Sequence, residues 1–329
     1  MRVSRRNWLL GSAAGASVTA LLAALGVRPR FSHGFSVAGK GKQTGNAPPN
    51  AAARLERSAI RCLVLGDWGS GNALQRQVAE GMQSFAGRIH PQFVISTGDN
   101  FYPGGVSSPQ DPLFQTIFEE VYTGVDLQVP WYCALGNHDY QGSVDSQIAY
   151  SARSSRWRVP ARYFRFTQSE ESVSADFFVL DTENLLPGTG GTQLEWLSGE
   201  LQSSEADWKI CVGHHPIRSS GHYGDTPALL ENLKPILDRQ GVVAYLCVHD
   251  HDVQLSKCPD DRFVCLVSGG GGKARDASYG EGTLFARTNG GFAALALSKS
   301  EMTVAILDPQ GQIEYVEHCL ELERPAATP

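Results

Sequence analysis

From Arg61 to Leu65 the chain is apolar and β-rich, and it stops abruptly on Gly66-Asp67. Leu74, Val78, Met82 and Phe85 then recur at helical spacing. Phe93 to Ser96 reads as a second buried strand, again running into Gly-Asp, and Trp131 to Leu135 as a third, running into Gly136-Asn137-His138-Asp139. Thr192, with Glu195 three residues on, has the form of a capping box for a helix through Leu194, Leu197 and Leu201. Ile210 to Val212 predicts a strand closing on Gly213-His214. Thr226-Pro227 opens another helix, with Thr at the cap and Pro at the first helical position. Val242 to Val248 predicts a strand closing on His249-Asp250-His251. From Gly291 onward apolar and polar residues alternate around a turn at Asp308-Pro309-Gln310-Gly311, the pattern of antiparallel hairpins. Mixed βα units followed by hairpins predict an α/β (α+β) fold with two packed mixed sheets flanked by helices, a four-layer α/β/β/α sandwich.

Residues 1–53 do not follow this pattern. Ser4-Arg5-Arg6-Asn7-Trp8-Leu9-Leu10 precedes a weakly apolar stretch to Val27 and resembles a twin-arginine export signal. Gly39 to Ala53 has no periodicity and reads as a flexible linker, which leaves residues 54–329 as the one folded domain. The expectation is export through the twin-arginine translocon to the periplasm or outside the cell, with no stable membrane span unless the signal is retained. Charge follows the same division. The first 53 residues hold seven Lys/Arg and no acid, so 21 of the 28 basic residues face all 34 acids in the body. So acidic a body is unsuited to a phosphate backbone and argues against nucleic acid as a partner. Phosphate chemistry here would need a local positive centre, for which metal ions are the obvious source.

The strand ends carry such chemistry. Ligands gather at the carboxyl ends of strands in α/β folds, and here those ends present Asp67, Asp99, Asn137, His214, His249 and His251. Any one of them is unremarkable, since an Asp after Gly is usually a turn former. Together they form one oxygen and imidazole donor set suited to Fe, Mn or Zn. The set is too large for one ion and suits two, with Asp99 as a bridge holding them ~3.5–4 Å apart for in-line displacement at phosphorus. If the segment is extended, His249 and His251 point the same way and serve one ion each.

Gly66-Asp67-Trp68-Gly69, Gly98-Asp99-Asn100-Phe101-Tyr102, Gly136-Asn137-His138-Asp139, Gly213-His214-His215-Pro216 and His249-Asp250-His251 closely resemble the five motif blocks of the purple acid phosphatases, small tartrate-resistant branch. The likeness runs from about Arg61 to about Val316 and takes in Trp157-Arg158-Val159-Pro160. Tyr102, three residues after Asp99, is the mark of the purple branch. The resemblance implies Fe(III) on Asp67, Asp99, Tyr102 and His251, and Fe(II), Zn or Mn on Asp99, Asn137, His214 and His249. It implies His138 facing the substrate phosphate, oriented by Asp139, and His222 contacting substrate and protonating the leaving group. It further implies an acid phosphatase acting on small phosphate monoesters, phosphoproteins or nucleotides among them, with a metal-bound hydroxide as nucleophile. A phosphodiesterase or nucleotide pyrophosphatase on the same fold is the nearest alternative, and a non-catalytic metal- or phosphate-binding protein a remote one. The segment Ser151 to Pro160 corresponds to a loop over the family's active site, with Arg153 and Arg156 as expected cleavage points. Val248 stands where the family usually has Gly, so the backbone there must be extended or strained. His215 follows a ligand where the family often has an aromatic; a proton donor and a packed imidazole are both open.

Other motifs fail. Ser268-Gly269-Gly270-Gly271-Gly272-Lys273 lacks the upstream Gly and the Ser/Thr of a phosphate-binding loop, and reads as a flexible loop beside the cleft. Neither a G-x-S-x-G elbow nor an H-E-x-x-H helix occurs. Of seven cysteines, Cys62, Cys133, Cys211 and Cys247 lie in apolar strand runs. Cys258 and Cys265 bracket a short segment that could close as a disulfide or stay reduced.

Overall fold

The computed structural model describes residues 50–320; the export signal and most of the linker expected before residue 53 lie outside the described residues. Within them the core is built from two seven-stranded mixed sheets. The first contains β1 (Ile60–Leu65), β2 (Phe93–Ser96), β3 (Trp131–Cys133), β4 (Trp157–Arg158), β12 (Phe292–Leu297), β13 (Glu301–Leu307) and β14 (Ile313–Leu320), in the order β14-β13-β12-β1-β2-β3-β4. The second contains β5 (Phe164–Glu170), β6 (Val173–Val179), β7 (Trp208–Val212), β8 (Ala244–Cys247), β9 (Val253–Ser256), β10 (Val264–Ser268) and β11 (Thr283–Arg287), in the order β11-β9-β10-β8-β7-β6-β5.

Alternation along the strands builds the layers. In β1, Cys62 and Val64 enter the core between the sheets, where they meet Phe177, Ile210 and Leu246. Leu63 and Leu65 point the other way, onto Val78, Met82 and Phe85 of the helix Ala73–Ile89. In β8, Ala244 and Leu246 face the inner core, while Tyr245 and Cys247 pack with Leu197, Leu201, Leu229 and Leu237 from the outer helices. Helices thus cover both outer faces, as the sequence predicted. The hairpins of β12, β13 and β14 close the first sheet antiparallel, turning at Asp308 to Gly311.

Three local expectations change, and one left open is decided. The linker ends early, because Ala51–Arg57 is a helix whose Ala51 and Leu55 are buried. The helix through Leu197 starts at Gly191 behind Gly190, with no side-chain cap. Thr192 is therefore inside its first turn, and buried Gln193 exchanges two hydrogen bonds with the backbone of Asp181. Arg156 is not an exposed cleavage site. It is buried, pairs with Glu119, donates to the Tyr122 carbonyl at 2.6 Å and lies 4.5 Å over the Phe118 ring. Trp157 beside it is a fully buried strand residue, so the stretch is a packed sheet edge that leaves only Arg153 of the two arginines exposed. All seven thiols are free, including Cys258 and Cys265; the Cys265 sulfur lies 3.7 Å from that of Cys247.

Candidate metal centre

Strands β1, β2 and β3 run parallel, as do β7 and β8, so their carboxyl ends assemble on one edge of the sandwich. Glycine lets those ends close together. A Cβ on Gly98, whose φ is +106°, would lie 2.8 Å from His214 Nδ1, and one on Gly136 would lie 2.3 Å from Asp99 Oδ1. The donors themselves turn inward on strained backbone. Asp67, Asp99, His249 and His251 all have φ between 53° and 82°, the left-handed region that side chains with a Cβ seldom enter. The His249-x-His251 segment is therefore not extended, as its spacing suggested. Two left-handed residues nevertheless send the two imidazoles to different donor sets.

One set is Asp67, Asp99 and His251, joined by Tyr102. The Tyr102 hydroxyl lies 2.8 Å from Asp99 Oδ2, 3.0 Å from Asp67 Oδ1 and 3.5 Å from His251 Nε2. A phenol has one proton and cannot satisfy both carboxylates. Asp67 Oδ2 is buried without a hydrogen-bond partner. Burial first, then the neighbouring Asp99, pushes the Asp67 carboxyl well above its ordinary range. This is the chemistry of a site built for a cation.

The second set gathers around His214. Its Nδ1 lies 3.2 Å from the Thr97 carbonyl, which can only accept, so Nδ1 carries the proton and Nε2 presents a lone pair. That Nε2 faces Asn137 Oδ1 and His249 Nδ1, both at 3.2 Å, and Asp99 Oδ1 at 3.6 Å. Lone pairs again converge, and a metal ion would satisfy them. Asp99 thus turns Oδ2 to the Tyr102 set and Oδ1 to the His214 set. Burial lowers the pKa of His214 well below its ordinary value, lowers His249, and holds His251 at about 3, which keeps these imidazoles neutral for coordination.

The surrounding residues sort by contact. His138 Nδ1 lies 2.5 Å from the Pro103 carbonyl, its ring sits 4.4 Å from that of Tyr102, and its Nε2 is 4.0 Å from Asp99 Oδ2. Its orienting partner is therefore Pro103 and not Asp139. Asp139 is buried beneath the turn and accepts from Gly136 N, Asn100 N and Gln147 Nε2 at 2.9 to 3.1 Å. Burial, then Asp99, raises it to about 7. His215 is a packed imidazole. The Thr182 hydroxyl accepts from the His214 and His215 amides and donates to His215 Nδ1 at 2.9 Å, Nε2 faces Glu183 at 3.4 Å, and burial lowers the ring to about 2. Thr182 is a positioning group the motifs did not reveal. Val248 takes no positive φ and packs its side chain against Gly66 and Gly269. His222 is not gathered into either set. It is exposed, touches the Tyr223 ring, and lines an open cavity of about 500 Å³ with Arg275.

Residues 60–253 match the calcineurin-like phosphoesterase family. The chain is 35% identical to tartrate-resistant acid phosphatase type 5 of Oryctolagus cuniculus, over 77% of this chain and 88% of that one. It is 38% identical to purple acid phosphatase 3 of Arabidopsis thaliana, over 77% and 76%. Among solved structures, that of GAP50, the anchor in the inner membrane complex of Plasmodium, superposes with a TM-score of 0.75 at 23% identity, covering 82% of this chain and 91% of that one; at that identity it speaks for the fold alone. Two donor sets sharing one aspartate, on this fold and with these relatives, place the chain in the calcineurin-like metallophosphoesterases and, within them, in the purple and tartrate-resistant acid phosphatase family.

Proposed function

We propose that this member hydrolyses phosphate monoesters in acid, outside the cytoplasm, at a centre of Fe(III) and a divalent Fe, Zn or Mn. The observation that carries it is Asp99, whose two oxygens face two separate donor sets. Asp67, Asp99, Tyr102 and His251 would hold the trivalent ion, and Asp99, Asn137, His214 and His249 the divalent one. Bound there, the ions would supply positive charge for the phosphoryl oxygens and acidify a water for attack at phosphorus.

The chain's own groups do the rest. Pro103 fixes His138 with Nε2 toward the centre, where a protonated ring would hold a phosphoryl oxygen. Asp139 ties the Gly136 turn to Asn100 and so fixes Asn137. His222, in the open cavity, would donate its proton to the departing oxygen, which requires low pH. The low pKa values of His214 and His251 favour the same range, because protons do not displace these ligands until the pH falls far below neutrality. Arg5-Arg6 supports export through the twin-arginine translocon. Among the described residues, no helix is long and apolar enough to cross a membrane.

Metal analysis joined to a pH–rate profile on phenyl phosphate and bis(4-nitrophenyl) phosphate tests the reading. Two metals per chain, one of them iron, an acidic bell-shaped profile and a preference for the monoester are expected. A preference for the bis-ester would make the enzyme a phosphodiesterase, and zinc alone at full stoichiometry would overturn the iron assignment.

A further inference from the structure

The glycine run that leaves β10 is pinned to the centre. Gly269 N donates to the Asp252 carbonyl at 2.7 Å, and Gly271 N to that of Gly66 at 3.2 Å. Directly after it the chain delivers two cations, Lys273 and Arg275. Lys273 Nζ lies 3.6 Å from the centroid of the Tyr102 ring. The Arg275 amide donates to the His251 carbonyl at 2.9 Å, and its guanidinium lies 4.7 Å over Tyr223. Tyr223 stacks on the His249 ring at 4.4 Å and 23°, and its own amide donates to Asp250 Oδ1 at 2.7 Å. Arg275 is thus fixed at both ends against the residues that carry the centre. Neither cation forms an ion pair with a carboxylate among the described residues, and Arg275 Nη1 is buried with no hydrogen-bond partner. A buried guanidinium N–H left unpaired costs at least ~1–3 kcal/mol, and a fork of this kind suits a carboxylate or phosphoryl group.

We infer that the cavity of about 500 Å³ lined by Gly221, His222, Ala274, Arg275, Asp276 and Ser278 is a second anion subsite, in which Arg275 binds a carboxylate or phosphoryl group carried by the leaving-group side of the ester. The inference rests on the phosphatase reading above and adds a substrate class to it: monoesters with a second anionic group. His222 shares this cavity, which puts the proposed proton donor beside the same part of the substrate. Exposed Asp276 also lines the cavity, and its carboxylate opposes anions that approach it rather than the guanidinium.

Binding and turnover test it separately, on the metal-loaded enzyme. Calorimetry compares benzylphosphonate with 4-carboxybenzylphosphonate, and methylphosphonate with methylenebisphosphonate; kinetics compare phenyl phosphate with 4-carboxyphenyl phosphate and with pyrophosphate. The wild type should favour at least one doubly anionic partner at least tenfold in Kd and in kcat/KM, the latter mainly through KM. Arg275→Gln should remove that preference and Arg275→Lys restore part of it, at equal metal content. Loss confined to the carboxylate pair or to the phosphoryl pair names the group the site takes. A merely structural role would weaken both members of each pair equally and leave the ratios unchanged, and ratios within twofold in wild type and Arg275→Gln overturn the subsite. If no ester is hydrolysed while the binding ratios hold, the phosphatase reading fails and the subsite stands.

Discussion

Tyr102→Phe removes one oxygen and should have two separable effects. In the metal-free protein the hydroxyl is buried between two carboxylates, 2.8 Å from Asp99 and 3.0 Å from Asp67. Its single proton makes one charge-assisted hydrogen bond, worth ~1.5–3 kcal/mol. Loss of about 2 kcal/mol in a domain of this size lowers Tm by roughly 4–8 °C. In the metal-loaded protein, on the proposed assignment, the phenolate would give Fe(III) its visible charge-transfer band. The variant should therefore lose its colour while keeping its fold and its divalent ion. Absorption spectra, metal analysis and thermal melts with and without metal read the two effects independently. A variant that keeps the band removes Tyr102 from the iron. An unchanged metal-free Tm would show that the hydroxyl makes no net hydrogen bond to either carboxylate, against the geometry.

Arg156→Ala should cost ~1.5–3 kcal/mol, because Glu119 loses its charged partner but keeps the Tyr150 and Ser154 hydroxyls; a change in denaturation free energy below 1 kcal/mol would refute the anchoring role. His222→Ala should slow alkyl esters by ~10²–10⁴-fold and aryl esters much less. Equal losses on both would make His222 a phosphate-binding residue. Burial raises Asp252 to about 7, so the folded state holds a proton the unfolded state releases near pH 4. Its stabilising contribution is complete below pH 4 and fades as pH rises to 7, by up to ~4 kcal/mol. Asp252→Asn should flatten that decline in the metal-free protein, and an unaltered slope would show that Asp252 is ionised throughout.

Period-two alternation and abrupt polar strand endings, four of them with Asp, Asn or His directly after Gly, made the strands, the layers and six of the seven proposed ligands legible from the sequence, because both follow from local rules. Tyr102 came only from the family resemblance, which marks a tyrosine three residues after the bridging Asp99. What stayed hidden depends on contacts between distant segments. Nothing local to Thr182 tells that its hydroxyl holds the amides of His214 and His215 together. Thr192 and Glu195 have the letters of a capping box, yet Asp181 takes the Gln193 side chain and the helix starts two residues earlier than that cap allows. Lys273 and Arg275 read as loop residues until the fold sets each against an aromatic ring of the cleft.

The backbone at the donors shows why spacing alone misleads. An extended His-x-His would aim both rings the same way, whereas left-handed residues at 249 and 251 send one ring to each donor set. Each such residue costs ~1–3 kcal/mol and persists only where its surroundings over-determine it. Four of the seven left-handed non-glycine residues among the described residues are the proposed ligands Asp67, Asp99, His249 and His251. They share these turns with the lone pairs of His214 Nε2 and Asn137 Oδ1, which face each other with no proton between them, and with a carboxylate oxygen that lacks any partner. Both costs fall in one place, and bound cations would offset the electrostatic part directly. The strain is thus spent on fixing donor directions before a metal arrives, which is what holding two ions at one bridging carboxylate requires.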